Sequence, residues 1–312
     1  MMVPIVLVHG GAGDVPYSRK PFKIAGSKKA AIEGYKLLKN GSSALDAVEA
    51  AVRSMEDDPM FNAGYGSVLN IEGGVEMDAS IMVGNNLNAG CVSIVKDIAH
   101  PISLARKVME KTRHVKLAGD ACRKFAKDQG FEILKEGALV TDDSKVILEF
   151  YKRHGGEITE ISKDDLKPDV GTVGAVAIDQ NGMLAAATST GGMCGKMVGR
   201  CSDSSQIGCG TYANKYGAVS TTGYGEAIIK TCLAHSIIKQ MESGKTAQEA
   251  TSASILEMKE QLNKTAGAIT ISKDGDVGIY YSSQNMSWAY ISKNKLHYGI
   301  EHDHNEIDLE TI

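Results

Sequence analysis

A loop-to-strand junction at Asp169–Val176 constrains this chain more than any other feature. The residues before it, Ser162-Lys163-Asp164-Asp165-Leu166-Lys167-Pro168, are polar and end in proline, the composition of a loop. Those after it, Thr172 to Ile178, are small or β-branched, the composition of a buried strand. The chain therefore passes from solvent into a core within a few residues. A threonine at such a junction carries two readings. It can be structural, because threonine favours strands. Alternatively the Gly171–Thr172 bond is cut and Thr172 becomes an N-terminal residue at the head of a strand. Such a residue carries a hydroxyl nucleophile and an α-amine base together, an arrangement suited to acyl transfer. On local pattern alone both readings stay open.

The length of 312 residues suffices for one large domain or two ordinary ones. With 43% hydrophobic and 23% charged residues the chain can bury a sizeable core. A formal net charge of -4, with both signs mixed along the sequence, argues against nucleic acid as the main partner. Glycine numbers 34 while aromatics are only 5%, which fits close backbone approaches around a small polar ligand. The cysteines (Cys91, Cys122, Cys194, Cys201, Cys209, Cys232) have neither a CxxC pair nor metal-ligand spacing, so free thiols of a reducing compartment are expected. Met1 to Val8 lacks the basic start of a signal peptide, and no apolar run reaches membrane-spanning length. A cytoplasmic protein without membrane partners is the expectation.

Pro4 to Val8 reads as a buried strand ending at the glycines after His9. Helices are expected over Ile24–Leu38 and Ser43–Glu56, the second with Ser43 and Asp46 as a cap. Strands follow near Glu76–Met82 and Cys91–Val95, then helices over Pro101–Lys111, Lys116–Gln129 and Thr141–Tyr151. Thr172–Ile178 and Met183–Ser189 form a hairpin around Asp179-Gln180-Asn181-Gly182. Two long helices, Glu226–Glu242 and Thr246–Leu262, precede strands near Ala268–Ser272, Val277–Tyr281 and Trp288–Ile291. Runs of strands and helices, without steady βαβ alternation, indicate an α+β class with stacked sheets flanked by helices. The histidines fall mostly in helix or tail contexts, and His302 and His304, in an acidic tail, are expected to be solvated.

Several short motifs occur in order along the chain. They are His9-Gly10-Gly11-Ala12-Gly13, Phe61-Asn62-Ala63-Gly64-Tyr65-Gly66-Ser67 and Met77-Asp78-Ala79-Ser80-Ile81-Met82. Ala187-Thr188-Ser189-Thr190-Gly191-Gly192, Lys196-Met197-Val198-Gly199-Arg200 with Asp203, and Thr221-Thr222-Gly223-Tyr224-Gly225-Glu226 complete the series. Through their collinear arrangement the chain resembles the plant-type L-asparaginases, or isoaspartyl peptidases, which are N-terminal-nucleophile hydrolases. The resemblance implies a single domain with a four-layer α-β-β-α sandwich, cut into segments 1–171 and 172–312 and paired as a homodimer. It implies Thr172 as nucleophile, Thr190 beside it tuning its hydroxyl, and Thr222 with the Gly223 N–H as the oxyanion hole. Asn62 would lie near the scissile bond.

Arg200 would clamp the substrate's α-carboxylate and Asp203 its α-ammonium, helped by the Gly225 carbonyl. Such a clamp reads a free amino-acid backbone, so the scissile amide must lie on the side chain, as in L-asparagine or a β-aspartyl dipeptide. The resemblance also implies a sodium ion held by the backbone carbonyls of Met55, Glu56, Asp58, Phe61, Ala63 and Tyr65, a donor set suited to a hard cation. No cofactor is implied for the chemistry. Two positions depart from the family pattern: Val83 stands where an acid is frequent and Ser287 where a proline commonly precedes the tryptophan. Competing readings are a glycosylasparaginase-like amidase and an unprocessed binding protein. An esterase fails for want of a G-x-S-x-G elbow, and a phosphate loop for want of its glycines.

Overall fold

The computed structural model describes residues 2–155 and 171–308. The polar linker before Thr172, with Asp169 and Val170, lies outside the described residues. In chain order the elements are β1 (Ile5–Gly13), α1 (Lys20–Lys39), α2 (Ala44–Glu56), β2 (Met77–Val83), β3 (Ala89–Val95), α3 (Pro101–Lys111), β4 (Lys116–Ala118), α4 (Asp120–Asp128) and α5 (Asp142–His154). After the linker come β5 (Val173–Ile178), β6 (Leu184–Thr190), β7 (Thr211–Asn214), β8 (Gly217–Gly223), α6 (Gly225–Thr231), α7 (Leu233–Glu242) and α8 (Ala247–Leu262). The chain closes with β9 (Ala266–Ser272), β10 (Val277–Tyr281), β11 (Asn285–Ser292), β12 (Lys295–Gly299) and β13 (Glu306–Asp308).

The strands form a nine-stranded sheet, ordered β13-β12-β11-β1-β5-β6-β2-β3-β4, and a four-stranded sheet, ordered β10-β9-β8-β7. Among the strand pairs of the described residues only β3–β4 is parallel. Helices α1, α2 and α3 pack on the large sheet, α7 and α8 on the small one, and β1, β5 and β6 meet β8 and β9 between the sheets. The large sheet's central strands are thus covered on both faces, and they are buried at every position rather than at alternate ones.

Side chains of a strand alternate between faces, and the central strands divide accordingly. Val6, Val8, Val173, Ala175, Ala185 and Ala187 join the core under the helices. Ile5, Leu7, Val176, Ile178, Leu184 and Ala186 join the core between the sheets, with Ala218 and Ile269 from the small sheet. Continuing the same period puts His9, Gly174, Thr172, Thr188, Thr190, Ser220 and Thr222 on the inter-sheet side. That layer therefore changes from apolar to hydroxyl-rich along its length.

Most expected elements are present, and the differences have local causes. Lys116–Ala118 is an edge strand rather than the start of a helix; Gly119, at φ 64, separates it from α4. The expected helix over Glu226–Glu242 is two helices, broken at Cys232, which takes a left-handed conformation at φ 47. The expected caps form: Ser43 with Asp46 closes α2, and Thr246 with Glu249 closes α8. Ser287 is buried and its hydroxyl accepts from Ser27 of α1 at 3.2 Å, so the departure from proline adds a sheet-to-helix contact. Val83 ends β2 and pairs with Ala185.

Gly174 marks a close approach of the two sheets. A Cβ there would lie 1.9 Å from Ser220 Oγ and 2.4 Å from His9 Nε2. Gly174→Ala should lower the thermal unfolding midpoint by several degrees, on the scale of about 1–3 kcal/mol for overpacking a core. An unchanged midpoint would contradict this close approach.

Candidate active site

The β5–β6 ladder sets the centre of the site. Val173 stands opposite Ser189, so the residue before Val173 and the one after Ser189 meet at the same end of the sheet. Thr172 Oγ1 donates to Thr190 Oγ1 at 3.2 Å, and Thr190 Oγ1 in turn accepts the Gly192 N–H at 3.0 Å. On the opposite face Ser189 Oγ donates to Glu56 Oε1 at 2.6 Å, with the Ile102 N–H on the same oxygen at 3.1 Å. Burial pushes the Glu56 carboxyl above its ordinary pKa, against the opposing effects of His100 and Ser189. His100 Nδ1 stands 3.5 Å from Glu56 Oε2, without hydrogen-bond geometry.

A narrow cleft opens over Thr172. Of the residues singled out from the sequence, Asn62, Gly171, Thr172, Thr190, Arg200, Asp203, Gly223 and Gly225 line it. Thr222 does not; its hydroxyl oxygen accepts the Ala12 N–H at 3.1 Å from β1. Gly192, Met193 and Ser202 complete the lining and carry no sign of that role in the sequence. Asn62 holds the turn after β6 in place: its Nδ2 donates to Gly192 O at 2.7 Å, its Oδ1 accepts from Val68 N at 3.0 Å, and its carbonyl accepts from Gly191 N at 2.8 Å. Buried Lys196 donates to Gly191 O at 2.8 Å, and burial lowers its pKa.

Asp203 lies in a one-turn 3-10 helix, Asp203–Ser205, and is buried. Its carbonyl accepts from Gly210 N at 3.1 Å, and its Oδ2 accepts from Thr221 Oγ1 at 3.4 Å. Burial raises the Asp203 carboxyl from 3.8 to about 7, although the nearby Arg200 charge opposes the shift. Arg200 and Asp203 are therefore not a solvated i,i+3 pair: the guanidinium directs two hydrogen bonds to Glu226 instead.

Asp78 anchors the turn before Asp203 to the large sheet. Its Oδ2 accepts from Ser202 N at 2.6 Å and its Oδ1 from Ile94 N at 3.2 Å. Ile94 reaches it from φ 56, a conformation that β-branched residues rarely adopt. The sequence shows Asp78 as part of a motif but gives no sign of this contact, which joins three distant segments.

His9 departs from the helix and tail contexts expected of the histidines. It is fully buried in β1, opposite Gly174 of β5. Its Nε2 pairs with Ser220 Oγ at 2.8 Å, and Ser220 Oγ with Thr188 Oγ1 at 2.8 Å. Burial lowers its pKa to about 3, opposed by the Thr172 backbone, so the imidazole is neutral. His302 is exposed, as expected, and also stacks on Tyr281 and bonds Ser283 O at 2.9 Å. His304 pairs with Glu306 at 3.1 Å.

The loop from Met55 to Tyr65 winds through successive tight turns. Met55 O accepts from Asp58 N, Asp58 O from Phe61 N, Phe61 O from Ala63 N and Ala63 O from Gly66 N. No group of three or more His, Cys, Asp or Glu side chains suited to a metal occurs among the described residues. Backbone carbonyls such as those of Asp58, Phe61 and Ala63 are neutral oxygen donors, the type a hard cation takes.

Comparisons with known proteins identify the family. A family model described as Asparaginase matches residues 2–300. A Danio rerio protein named isoaspartyl peptidase/L-asparaginase is 46% identical, over 97% of this chain and 97% of its own. The Homo sapiens protein of that name is 49% identical over 97% of each chain, and the Mus musculus one is 49% identical over 95% of this chain and 90% of its own. With a family match running almost end to end and relatives at nearly half identity, the chain belongs to the asparaginase family.

Proposed function

We propose that this protein is an amidohydrolase that releases Thr172 as its nucleophile and cleaves the side-chain amide of L-asparagine and the isopeptide bond of β-aspartyl dipeptides. The observation that carries the reading is the convergence of Thr172, Thr190, Arg200, Asp203 and Gly225 on one cleft. Processing begins with attack of Thr172 Oγ1 on the Gly171 carbonyl, an N-to-O acyl shift whose ester is then hydrolysed, leaving segments 1–171 and 172–312 of one domain. The α-amine so freed has an ordinary pKa of about 7.7–8.0, so a useful fraction is neutral near pH 7 and accepts the hydroxyl proton.

In turnover Oγ1 bonds to the substrate's side-chain carbonyl carbon. The C–N bond then breaks as the ammonium of Thr172 returns its proton to the leaving amine. Water, deprotonated by the same amine, hydrolyses the acyl-enzyme. The Gly223 N–H and the Thr222 hydroxyl would stabilise the oxyanion. Arg200 binds the α-carboxylate, Asp203 and the Gly225 carbonyl the α-ammonium, and Asn62 steadies the turn beside the nucleophile. Neutral His9 supports the strand without exchanging protons.

Backbone carbonyls of Met55, Glu56, Asp58, Phe61, Ala63 and Tyr65 would hold a sodium ion with a purely structural role. The two-sheet arrangement with helices outside supports a four-layer α-β-β-α sandwich, and the family relationship a homodimer of processed units. The cysteines, all unpaired, support a reducing, cytoplasmic setting.

The substrate orientation is tested by following ammonia release from L-asparagine and leucine release from β-Asp-Leu and α-Asp-Leu. The first two should be hydrolysed and α-Asp-Leu refused, because its scissile carbonyl is the group Arg200 needs as a free carboxylate. Efficient cleavage of α-Asp-Leu would overturn the orientation, and inactivity on both of the others the substrate class.

The Asp203 carboxyl yields a pH prediction. Its folded pKa, about 7, exceeds the unfolded 3.8, so between these values the folded state holds a proton that the unfolded state has lost. Its stabilising contribution is complete below the lower value and is lost as pH rises through the upper one. Relative to wild type, Asp203→Asn should therefore gain thermal stability as pH rises from about 4 to about 7, and the gain should level off above that. A difference that stays constant with pH would show that Asp203 is ionised throughout.

A further inference from the structure

We infer that Glu226 is a positioning residue for substrate recognition: it fixes the plane of the Arg200 guanidinium so that the remaining edge of that group takes the substrate's α-carboxylate. The inference rests on Arg200 being the carboxylate clamp, as proposed above.

The pairing is fork to fork. Arg200 Nε donates to Glu226 Oε1 at 3.0 Å and Nη2 donates to Oε2 at 3.0 Å. A guanidinium has five N–H donors in one plane, and this contact uses one from Nε and one from Nη2. It leaves Nη1 and the outer hydrogen of Nη2, which form a second bidentate edge. That free edge faces the cleft. A Cβ built on the cleft-lining Gly192 would lie 3.2 Å from Nη1, and one built on Gly225 would lie 2.7 Å from Nη2 and 2.8 Å from Asp203 Oδ1. The two glycines thus leave the edge bare on either side, next to the carboxylate assigned to the ammonium.

A surface ion pair between flexible side chains ordinarily contributes little. Here the arginine side chain is only 13% exposed, while Glu226, 37% exposed, stands behind it in the first turn of α6. Glu226 follows Gly225 directly, so one short segment lines the cleft and orients the arginine. Without Glu226 the long side chain would have several rotamers open to it, and substrate binding would have to order it. The loss should fall on binding, because the α-carboxylate contact is the same in ground and transition states.

The test compares processed wild type, Glu226→Ala, Glu226→Gln and Arg200→Ala on L-asparagine and on L-aspartic acid diamide, which has an α-carboxamide in place of the α-carboxylate. Glu226→Ala should raise KM for L-asparagine about tenfold and change kcat less than about twofold, as expected for loss of uniform binding. The inhibition constant of L-aspartate should rise in parallel. Glu226→Gln, which keeps one acceptor for the fork, should be intermediate, and its fold is close enough to wild type to keep the comparison open if the alanine variant is unstable. KM for the diamide should stay within about twofold in either variant. Equal losses on both substrates, or an unchanged KM for L-asparagine while Arg200→Ala impairs it, would overturn the role of Glu226. An unchanged KM in Arg200→Ala would overturn the clamp itself, a separate failure.

Discussion

The site depends on the two-residue period of strands covered on both faces. Because β1, β5 and β6 lie between a helix layer and a second sheet, every side chain must enter one of two interiors, and the register decides which. A slip of one residue in β5 would send Thr172 under the helices and bring Val173 to the cleft. Val176 and Ile178 oppose that slip, since both would have to leave the inter-sheet core they share with Ile5, Leu7, Leu184 and Ala186. The Thr172 hydroxyl is thereby placed by hydrophobic burial further along its own strand.

Towards the cleft the same layer becomes polar, and several of its hydroxyls find partners within it. The hydroxyls of Ser220, Thr188, Thr211 and Ser80 bond one another or nearby carbonyls, and His9 stays neutral among them. Charge is kept for the recognition side. Asp78 spends both oxygens on backbone N–H groups, Asp203 is left with one weak hydroxyl contact, and Arg200 is held from behind by Glu226. A buried carboxyl with few partners and an arginine with one open edge stand side by side on the cleft, and the proposed zwitterionic substrate rests on that pairing.

Much of this is legible in the amino-acid sequence. The abrupt change at Thr172 locates the head of a strand, and the Asp179–Gly182 turn fixes the hairpin that pairs Thr172 with Thr190. The caps of α2 and α8 can be read from Ser43 and Thr246. What cannot be read depends on distant contacts. The β7–β8 hairpin contains the Thr222 motif yet lacks strong strand composition; it forms because it covers the large sheet. The break at Cys232 has no glycine or proline to announce it. Lys116–Ala118 is a strand only because β3 offers it an edge. Glu226 reads as the end of a glycine motif, and its partner Arg200 lies far away in sequence.

The central claim, that Thr172 becomes an N-terminal nucleophile, is tested most directly by intact mass spectrometry of purified protein during incubation, with amide hydrolysis followed in the same samples. The single mass should give way to those of segments 1–171 and 172–312, the second beginning Thr-Val-Gly, and activity should appear in step. Thr172→Ala should remain one inactive chain. Full activity in an uncut chain, or spontaneous cleavage at this bond in Thr172→Ala, would contradict the account.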